Sequence, residues 1–513
     1  MTNYKRRDRL LSARLGCAFM AVLASVSIPV AVQAHAMLIR SQPKAKETVA
    51  QPPKLVELWF NEELEPGLNT IEVKDQQGNR VDRGEVTLSE GNKKAQIELG
   101  ELKPGAYNVV WKVLSADQHA IRGRFTFSVA ASTASGTPFT TGQAATTATP
   151  MPEMSPQEDQ GEQISSGQIL VRWLSYLAMM TLFGGFAFRV LVLAPSLRRA
   201  LVGPERTKAG AASEQRALLL LWISVVLLAA MSLAALVLQA SAVFDKSLGE
   251  SLSPSLWARV LATGYGGSWS LQIVSLGAIG VIVLLLTRRG KRQPASEHSA
   301  LWWAGLLASA ALLVAPSWTG HAVASAKDYR LAVFTDWLHL LAGGFWVGGL
   351  FHLALTLPPA LPFVPKPRRT IAIYHLIKLF TRIAMSSVVL LVLAGLYNTW
   401  AHIPSIKAFW MTPYGKVLTL KLIVVGVMLL LGGINNFHFG KVAARLVEAQ
   451  KTDSDATSVA KLERGFRRSV ALEAALGVAV LLVTAVLVFL TPARSHPAMT
   501  SNEAEPTVSS GSR

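Results

Sequence analysis

The sequence contains one cysteine among 513 residues and has few charged residues for its length. Cys17 lies inside an N-terminal apolar run that we interpret as a signal peptide. The processed chain is therefore predicted to have neither a disulfide nor a thiolate ligand, and any metal site in it must use histidine, carboxylate, methionine or a free amine. With 51% hydrophobic and only 16% charged residues, most of the chain is predicted to be embedded in a lipid bilayer.

Two further absences exclude classes of function. The formal net charge is +18, but the basic residues are distributed over short loops between apolar runs, and no basic face with interleaved aromatic residues is present. A nucleic-acid partner is therefore not expected. The sequence also has no G-x-x-x-x-G-K-[ST] loop, which argues against a pump driven by nucleotide hydrolysis.

The N-terminus has the pattern of a secretory signal peptide, residues 1–34. Basic residues precede the apolar run 15–32, and the small residues Val32 and Ala34 come just before the expected cleavage position. Cleavage there makes His35 the first residue, with a free amine. Because an α-amino group titrates near pH 8 and an imidazole near pH 6.5, both can lose a proton at modest cost and bind one metal ion together.

Residues 35–129 differ from the rest, because short alternating runs are separated by turn residues. Strands are predicted at 55–60, 70–73, 96–99, 107–113 and 124–129, which is typical of a small all-β sandwich or barrel. Residues 130–163 are rich in Thr, Ala, Ser, Pro and Gly and are predicted to form a flexible linker.

Residues 164–492 are predicted to form an all-α membrane domain with eight transmembrane helices. The apolar runs lie near 168–194, 216–243, 267–287, 300–317, 331–357, 377–401, 415–439 and 469–490. Every second loop is rich in Lys and Arg, which places those loops in the cytoplasm. The β-domain and the C-terminal tail, residues 493–513, are then both periplasmic, and the protein is expected in a bacterial inner membrane.

A metal site is predicted in the β-domain. Asp117 and His119 lie between the last two predicted strands, and residues two apart in an extended chain point to the same side. Together with the amine and ring of His35 they supply three nitrogens and one carboxylate oxygen, a set that suits tetragonal Cu(II). Taken alone, the Asp-x-His pattern is also typical of a polar turn.

The β-domain resembles the periplasmic copper-binding protein CopC. The resemblance rests on His35 at the new N-terminus and on the segments LWFNE at 58–62, PGAY at 104–107 and SADQH at 115–119. It implies a Greek-key β-barrel that binds Cu(II) through His35, Asp117 and His119. Some members carry a methionine-rich loop for Cu(I), but residues 60–100 contain no Met or His. The domain is therefore expected to bind Cu(II) only.

The membrane domain resembles CopD, a copper-transport membrane protein that is known fused to CopC. The matching segments are FTRIA at 380–384, TPYGK at 412–416, and DWLH at 336–339 followed by FWVGGL at 345–350. With the CopC-like part, the resemblance covers nearly all of the processed chain except the linker and the tail.

Polar residues within the apolar runs are candidates for an ion path, because ionisable groups in membrane helices usually face a bundle interior or a cavity. Asp336 and His339 share one helix face. We predict an outer copper-transferring cluster and an inner one, and we interpret Lys421 as one half of a structural ion pair. The outer cluster contains His321, Asp336, His339 and His402, and the inner one contains His352 and His438. Alternatively, His321, His402 and His438 are ordinary interfacial residues.

These features predict a copper uptake and homeostasis protein, not an enzyme, that captures Cu(II) outside and conducts copper across the inner membrane. Its expected partners are copper ions, the lipid bilayer, a periplasmic copper donor and a cytoplasmic acceptor. The alternative is a b-type haem oxidoreductase that uses His339 and His352, which are about 20 Å apart along one helix but point to different faces. A copper oxidase built on His35 is disfavoured, because Asp117 would occupy a position that such chemistry needs open.

Overall fold

The computed structural model describes residues 37–116, 119–130, 165–290, 300–318, 329–403, 405–449 and 456–490. The predicted signal peptide, most of the linker and the C-terminal tail lie outside these ranges, as do His35, Asp117 and His321. The described chain divides into two compact units, a β-domain and a helical domain.

The β-domain is a sandwich of two four-stranded sheets. In one sheet the strand order is β1-β3-β6-β5, and in the other it is β2-β8-β7-β4. The strands are β1 (Leu38–Gln42), β2 (Thr48–Val49), β3 (Leu55–Phe60), β4 (Thr70–Lys74), β5 (Asp82–Ser89), β6 (Lys94–Leu99), β7 (Gly105–Leu114) and β8 (Ala120–Val129). The predicted all-β sandwich is confirmed, and each of the five predicted strands lies within or coincides with an observed one.

The core of the sandwich follows from the alternation of apolar residues. Along β3, Val56, Leu58 and Phe60 are buried while the residues between them are partly exposed. The ring of Phe60 packs edge-on against Trp111 of β7, with 5.3 Å between ring centroids. Trp111 in turn covers Gly123, its partner on β8, where a β-carbon would overlap the indole.

Eight described helical segments are long and apolar enough to cross a membrane, judged by length and composition. We number them as spans one to eight: Ser166–Ala200, Gly203–Phe244, Gly264–Gly290, Ala300–Trp318, Arg330–Thr356, Arg368–Trp400, Pro413–Glu448 and Thr457–Leu487. They coincide with the eight predicted apolar runs. The first span is the most buried, with 78% of its apolar window inside the domain, whereas the sixth and seventh have 17%. The first span is therefore central.

Three spans change from α-helical to π-helical hydrogen bonding for five residues. The first consists of Ser166–Phe188, the π segment Arg189–Leu193, and Ala194–Ala200. The fifth contains Tyr329–Gly343, the π segment Gly344–Gly348, and Gly349–Thr356. The seventh contains Pro413–Ile434, the π segment Asn435–Phe439, and Gly440–Ala449. Such segments redirect side chains and are frequent at functional sites.

The other spans are more regular helices. The second is Gly203–Phe244, the third is Gly264–Gly290, the fourth is Ala300–Leu312 with Val314–Trp318, the sixth lies in Lys366–His402, and the eighth lies in Ala456–Leu487. Short helices at Pro254–Leu261 and Ala408–Met411 lie in loops before the third and seventh spans.

Candidate functional site

The loop at residues 61–64, directly after β3, connects two separate parts of the β-domain. At one side, the backbone nitrogen of Met37 donates to Oδ1 of Asn61 at 2.6 Å, and the backbone nitrogen of Asn61 donates to the Met37 carbonyl at 3.2 Å. At the other side, the backbone nitrogen of Ala116 donates to the Glu63 carbonyl at 2.9 Å. The loop therefore holds the chain two residues after His35 and also the residue just before Asp117.

His119 lies in the turn that joins β7 to β8. Its carbonyl accepts a hydrogen bond from the backbone nitrogen of Ser115 at 3.0 Å, and Leu114 pairs with Ala120 directly beyond. The His119 ring is half-buried, and Ser115 is fully buried. The turn is thus fixed to the sandwich on both sides, with Asp117 between Ala116 and His119.

In the helical domain, Asp336 and His339 lie one turn apart on Tyr329–Gly343. The Asp336 carboxylate accepts a hydrogen bond from Oγ of Ser317 on the fourth span, at 2.7 Å. Lys421 of the seventh span lies within electrostatic range of both Asp336 and His339. Nδ1 of His339 is buried and has no hydrogen-bond partner among the described residues. The ring therefore has a nitrogen available beside a carboxylate and an ammonium group.

A cavity of about 100 Å³ lies at the end of the bundle where the first span begins and the fourth ends. Its walls are both polar and apolar and include Arg172, Tyr176 and Met179 of the first span and Tyr265 of the third. Pro316 also lines it, and the next residue, Ser317, is the one that bonds to Asp336. The cavity thus ends close to the Asp336–His339 pair.

His352 lies on Gly349–Thr356, beyond the π segment of the fifth span, and its side chain is completely buried. One ring nitrogen, Nε2, is 3.0 Å from the carbonyl oxygen of Thr181 on the first span. The ring also packs on Gly185, where a β-carbon would lie 2.6 Å from Nε2. Nδ1 is buried and has no hydrogen-bond partner in the part of the chain that the structure describes.

The other predicted path histidines lie in different surroundings. His438 lies in the π segment of the seventh span, where its ring is exposed and meets Phe439 edge-on at 5.1 Å. It therefore does not share the buried environment of His352. His402 ends the helix Lys366–His402, and its side chain lies outside the description. Within the described ranges, no three His, Cys, Asp or Glu side chains come together as a metal-ligand set.

Two buried polar groups were missed from the sequence. Glu473 of the eighth span bonds to Trp346 and Asn435, and Arg189 of the first span pairs with Glu214 of the second at 3.1 Å. Each of these two clusters contains a charged residue inside or beside an apolar run, and that position was the sequence feature that could have indicated it. The partners are 25 to 127 residues away along the chain, so their identity could not be deduced from spacing.

Comparison with known proteins finds three matching families. The CopC domain matches residues 38–130, the copper resistance protein D-like N-terminal domain matches 163–330, and copper resistance protein D matches 374–487. The chain is similar to the copper transport protein CutJ of Bacillus subtilis, with 27% identity over 476 residues, which cover 92% of this chain and 77% of CutJ.

Two further similarities each cover one part of the chain. Copper resistance protein D of Pseudomonas syringae pv. tomato is 29% identical over 330 residues, which cover 63% of this chain and 96% of that protein. The crystal structure of CopC from Methylosinus trichosporium OB3b is 31% identical and matches 20% of this chain and 100% of that one, with a TM-score of 0.19.

Proposed function

The chain is a CopC domain fused to a CopD membrane domain, within the copper resistance and transport proteins, and from this we propose that it is a copper importer. The β-domain captures Cu(II) on the periplasmic side of the inner membrane, and the helical domain conducts copper to the cytoplasm. The enrichment of Lys and Arg in every second loop, and so on one side of the membrane, supports this orientation. Copper is the cargo, and the protein is a carrier rather than an enzyme.

The 61–64 loop is the observation that carries the capture half of the proposal. Met37 is bonded to Asn61, and His35 is two residues away, a reach of about 7 Å for an extended chain. Ala116 is bonded to Glu63, and Asp117 is the next residue. The loop therefore holds Met37 and Ala116, which are close to His35 and Asp117 along the chain. This supports a site that His35, Asp117 and His119 share.

The chemistry of these groups suits Cu(II). The amine and imidazole of His35, the carboxylate of Asp117 and the imidazole of His119 supply three nitrogens and one oxygen, the mixture that favours tetragonal copper. Ligands from a folded turn and from a tethered N-terminus lose little conformational entropy when they bind.

In the membrane domain, we propose that copper enters through the cavity lined by Met179 and passes to Asp336 and His339. A carboxylate and an imidazole one turn apart can bind an ion together. Lys421 lies within electrostatic range of Asp336, and in this proposal its ammonium group is the counter-charge of that carboxylate in the absence of copper. A copper ion bound at this pair would replace that ammonium group as the counter-charge, and it would then move toward His352. His321 and His402 at the outer side, and His438 at the inner side, remain proposed path residues.

The packing of His352 weighs against the haem alternative. A b-type haem needs a ring nitrogen directed at iron and open space for a porphyrin. Nε2 of His352 is bonded to the Thr181 carbonyl, and the ring lies against Gly185. Purified protein without a Soret absorption band would confirm that no haem is bound.

The capture half is tested by Cu(II) titration of residues 35–130, prepared with His35 as the first residue and with one extra residue ahead of it. The extension converts the amine of His35 into an amide but leaves all side chains in place. We expect the affinity to fall by at least an order of magnitude, because one of four ligands is lost. Equal affinity of the two forms would refute the N-terminal chelate.

The transport half is tested in cells grown with scarce copper. Deletion of the gene is expected to lower cell copper, and the His339→Asn variant is expected to reproduce that loss. His375→Asn is the control, because His375 lies on the sixth span outside the proposed path, beside Tyr374. Unchanged or higher copper after deletion would contradict import.

A further inference from the structure

Glu473 is a carboxylate in the middle of a membrane span. It lies about halfway between Thr457 and Leu487, the ends of the eighth span, and only 2% of it is exposed. Ionisable residues at such positions are rare, and they commonly belong to ion or proton pathways. Glu473 belongs to neither the proposed copper stations nor the ion pairs described above.

Both carboxylate oxygens of Glu473 are held by neutral donors. Nε1 of Trp346 donates to Oε1 at 3.2 Å, and Nδ2 of Asn435 donates to Oε2 at 2.7 Å. A β-carbon at Gly432 would lie 3.3 Å from Oε1, so this glycine leaves room for the carboxylate against the seventh span. The described residues of the site therefore fix the carboxyl group without giving it a cation.

The charged and titratable groups on the elements packed around the eighth span are directed elsewhere. None of those described lies within electrostatic range of Glu473. Arg172 lies over the ring of Phe489, and His352 bonds to Thr181. Lys421 lies within electrostatic range of Asp336, His438 is exposed, and Arg369 pairs with Glu463. A proton is therefore the cation best placed to neutralise this carboxylate.

The site also contains an acceptor that suits a protonated carboxyl group. Oδ1 of Asn435 is buried and has no hydrogen-bond donor among the described residues. An ionised carboxylate can only accept hydrogen bonds, whereas a protonated one has an O–H to donate. An amide and a carboxylic acid can form two hydrogen bonds to each other, N–H to carboxyl oxygen and O–H to amide oxygen. Protonation of Glu473 would thus supply the donor that Asn435 lacks.

The position of Glu473 connects it with the proposed copper path. Trp346 lies on the fifth span between His339 and His352, within the π segment Gly344–Gly348. Asn435, the other donor to Glu473, is the first residue of the π segment Asn435–Phe439 on the seventh span. If either segment switched between α and π hydrogen bonding, two residues on that span would move together: the one that donates a hydrogen bond to Glu473 and the proposed path histidine.

We propose that Glu473 binds and releases a proton in the middle of the membrane domain, and that a proton moving inward through it accompanies each imported copper ion. In this step, the carboxylate accepts one proton from the periplasmic side and releases it to the cytoplasmic side, with no bond to copper. The first half of the proposal concerns Glu473 alone, and the second rests on the proposed import function.

The first half is tested by infrared difference spectroscopy of the purified full-length protein during a pH titration. On acidification of the wild type we expect one component of the C=O band of protonated carboxyl groups that is missing from the Glu473→Gln spectrum and shifted in Glu473→Asp. Glu463→Gln, a change of the same kind on the same helix, keeps the band. Identical titrating bands in the wild type and Glu473→Gln overturn the proposal, as does a Glu473→Asp variant that folds and lacks a component of its own.

The second half is tested in proteoliposomes with the membrane potential clamped by potassium and valinomycin. Copper uptake by the wild type is expected to be faster with an alkaline interior, and Glu473→Gln is expected to lose this stimulation while Glu463→Gln keeps it. Stimulation that persists in Glu473→Gln overturns the coupling. If the wild type carries no copper at all, the import function fails, and the infrared experiment still decides whether Glu473 is a proton site.

Discussion

The backbone nitrogen of Met37 lies 2.6 Å from Oδ1 of Asn61, so the start of the β-domain is tied to the loop after β3. We expect Asn61→Ala to lower the Cu(II) affinity of residues 35–130 about fivefold, because the loss of one hydrogen bond of about 1 kcal/mol leaves His35 less confined. The affinity is measured by competition with a Cu(II) chelator of known strength.

Asn79→Ala is the matched control for this prediction. Asn79 also forms a side-chain hydrogen bond, to Asp75 at 3.1 Å, but it lies in the turn after β4, away from the 61–64 loop. Its replacement is expected to leave copper affinity unchanged. If Asn61→Ala binds copper as tightly as Asn79→Ala does, the 61–64 loop does not position His35.

Gly184 and Gly348 lie where the first and fifth spans approach each other closely. A β-carbon at Gly184 would overlap the backbone of Gly348, so the two helices touch without side chains between them. We expect Gly184→Ala to destabilise the membrane domain by about 1–3 kcal/mol, because the spans must separate to admit the methyl group. Gly426→Ala is the control, since a β-carbon there meets nothing within 4 Å. Thermal unfolding in detergent should give a lower Tm for the first variant only, and equal Tm values would contradict this packing.

The sequence was sufficient to predict the strands and helices whose residue pattern is local. Alternation along β3 and the length of the apolar runs predicted the sandwich strands and the eight spans, because burial of one face or a whole helix leaves a periodic or continuous signal. Strands β1, β2 and β5 were missed, and β5 shows a physical reason. It is an edge strand with polar residues, Gly84 in a left-handed conformation and a register shift between Asp82 and Val86, so its alternation is broken.

The arrangement of the candidate sites depends on contacts that leave no such local signal. Asp336 and His339 could be paired from their spacing on one helix, but the bond from Ser317 and the nearby Lys421 come from two other spans. The π segments also could not be predicted, because they are set by how neighbouring helices pack. The bond from Trp346 to Glu473 joins residues 127 positions apart and required the folded domain.

The turn at Asp75 gives the β-domain a specific acid sensitivity. Partial desolvation acts to raise the pKa of Asp75, but hydrogen bonds from Asn79, Gln77 and Gly78 together hold it below its ordinary value of 3.8. A carboxyl group whose pKa is lower in the folded state stabilises the fold above its unfolded pKa, and it loses that contribution as the pH falls through the folded pKa. The stability difference between the wild type and Asp75→Asn should be constant near neutral pH and shrink below about pH 4. Thermal unfolding of residues 35–130 across this range measures it, and a difference independent of pH would contradict the assignment.

The ion pair between Arg189 and Glu214 ties the first span to the second, and the two side chains are only 5% and 9% exposed. Glu214→Gln would leave the Arg189 guanidinium buried without its anion, so we expect a loss of about 3–5 kcal/mol. The double variant Arg189→Met, Glu214→Leu should recover most of this loss, because an apolar pair needs no desolvation of charge.

The control is Glu205→Gln on the same helix. Glu205 pairs with Arg368 at 3.5 Å, and both side chains are more than 40% exposed. Such exposed pairs contribute at most about 1 kcal/mol. Unfolding of the four proteins in mixed micelles measures these differences. A Glu214→Gln variant as stable as Glu205→Gln would mean that water reaches Arg189 and that the pair does not hold these two spans together.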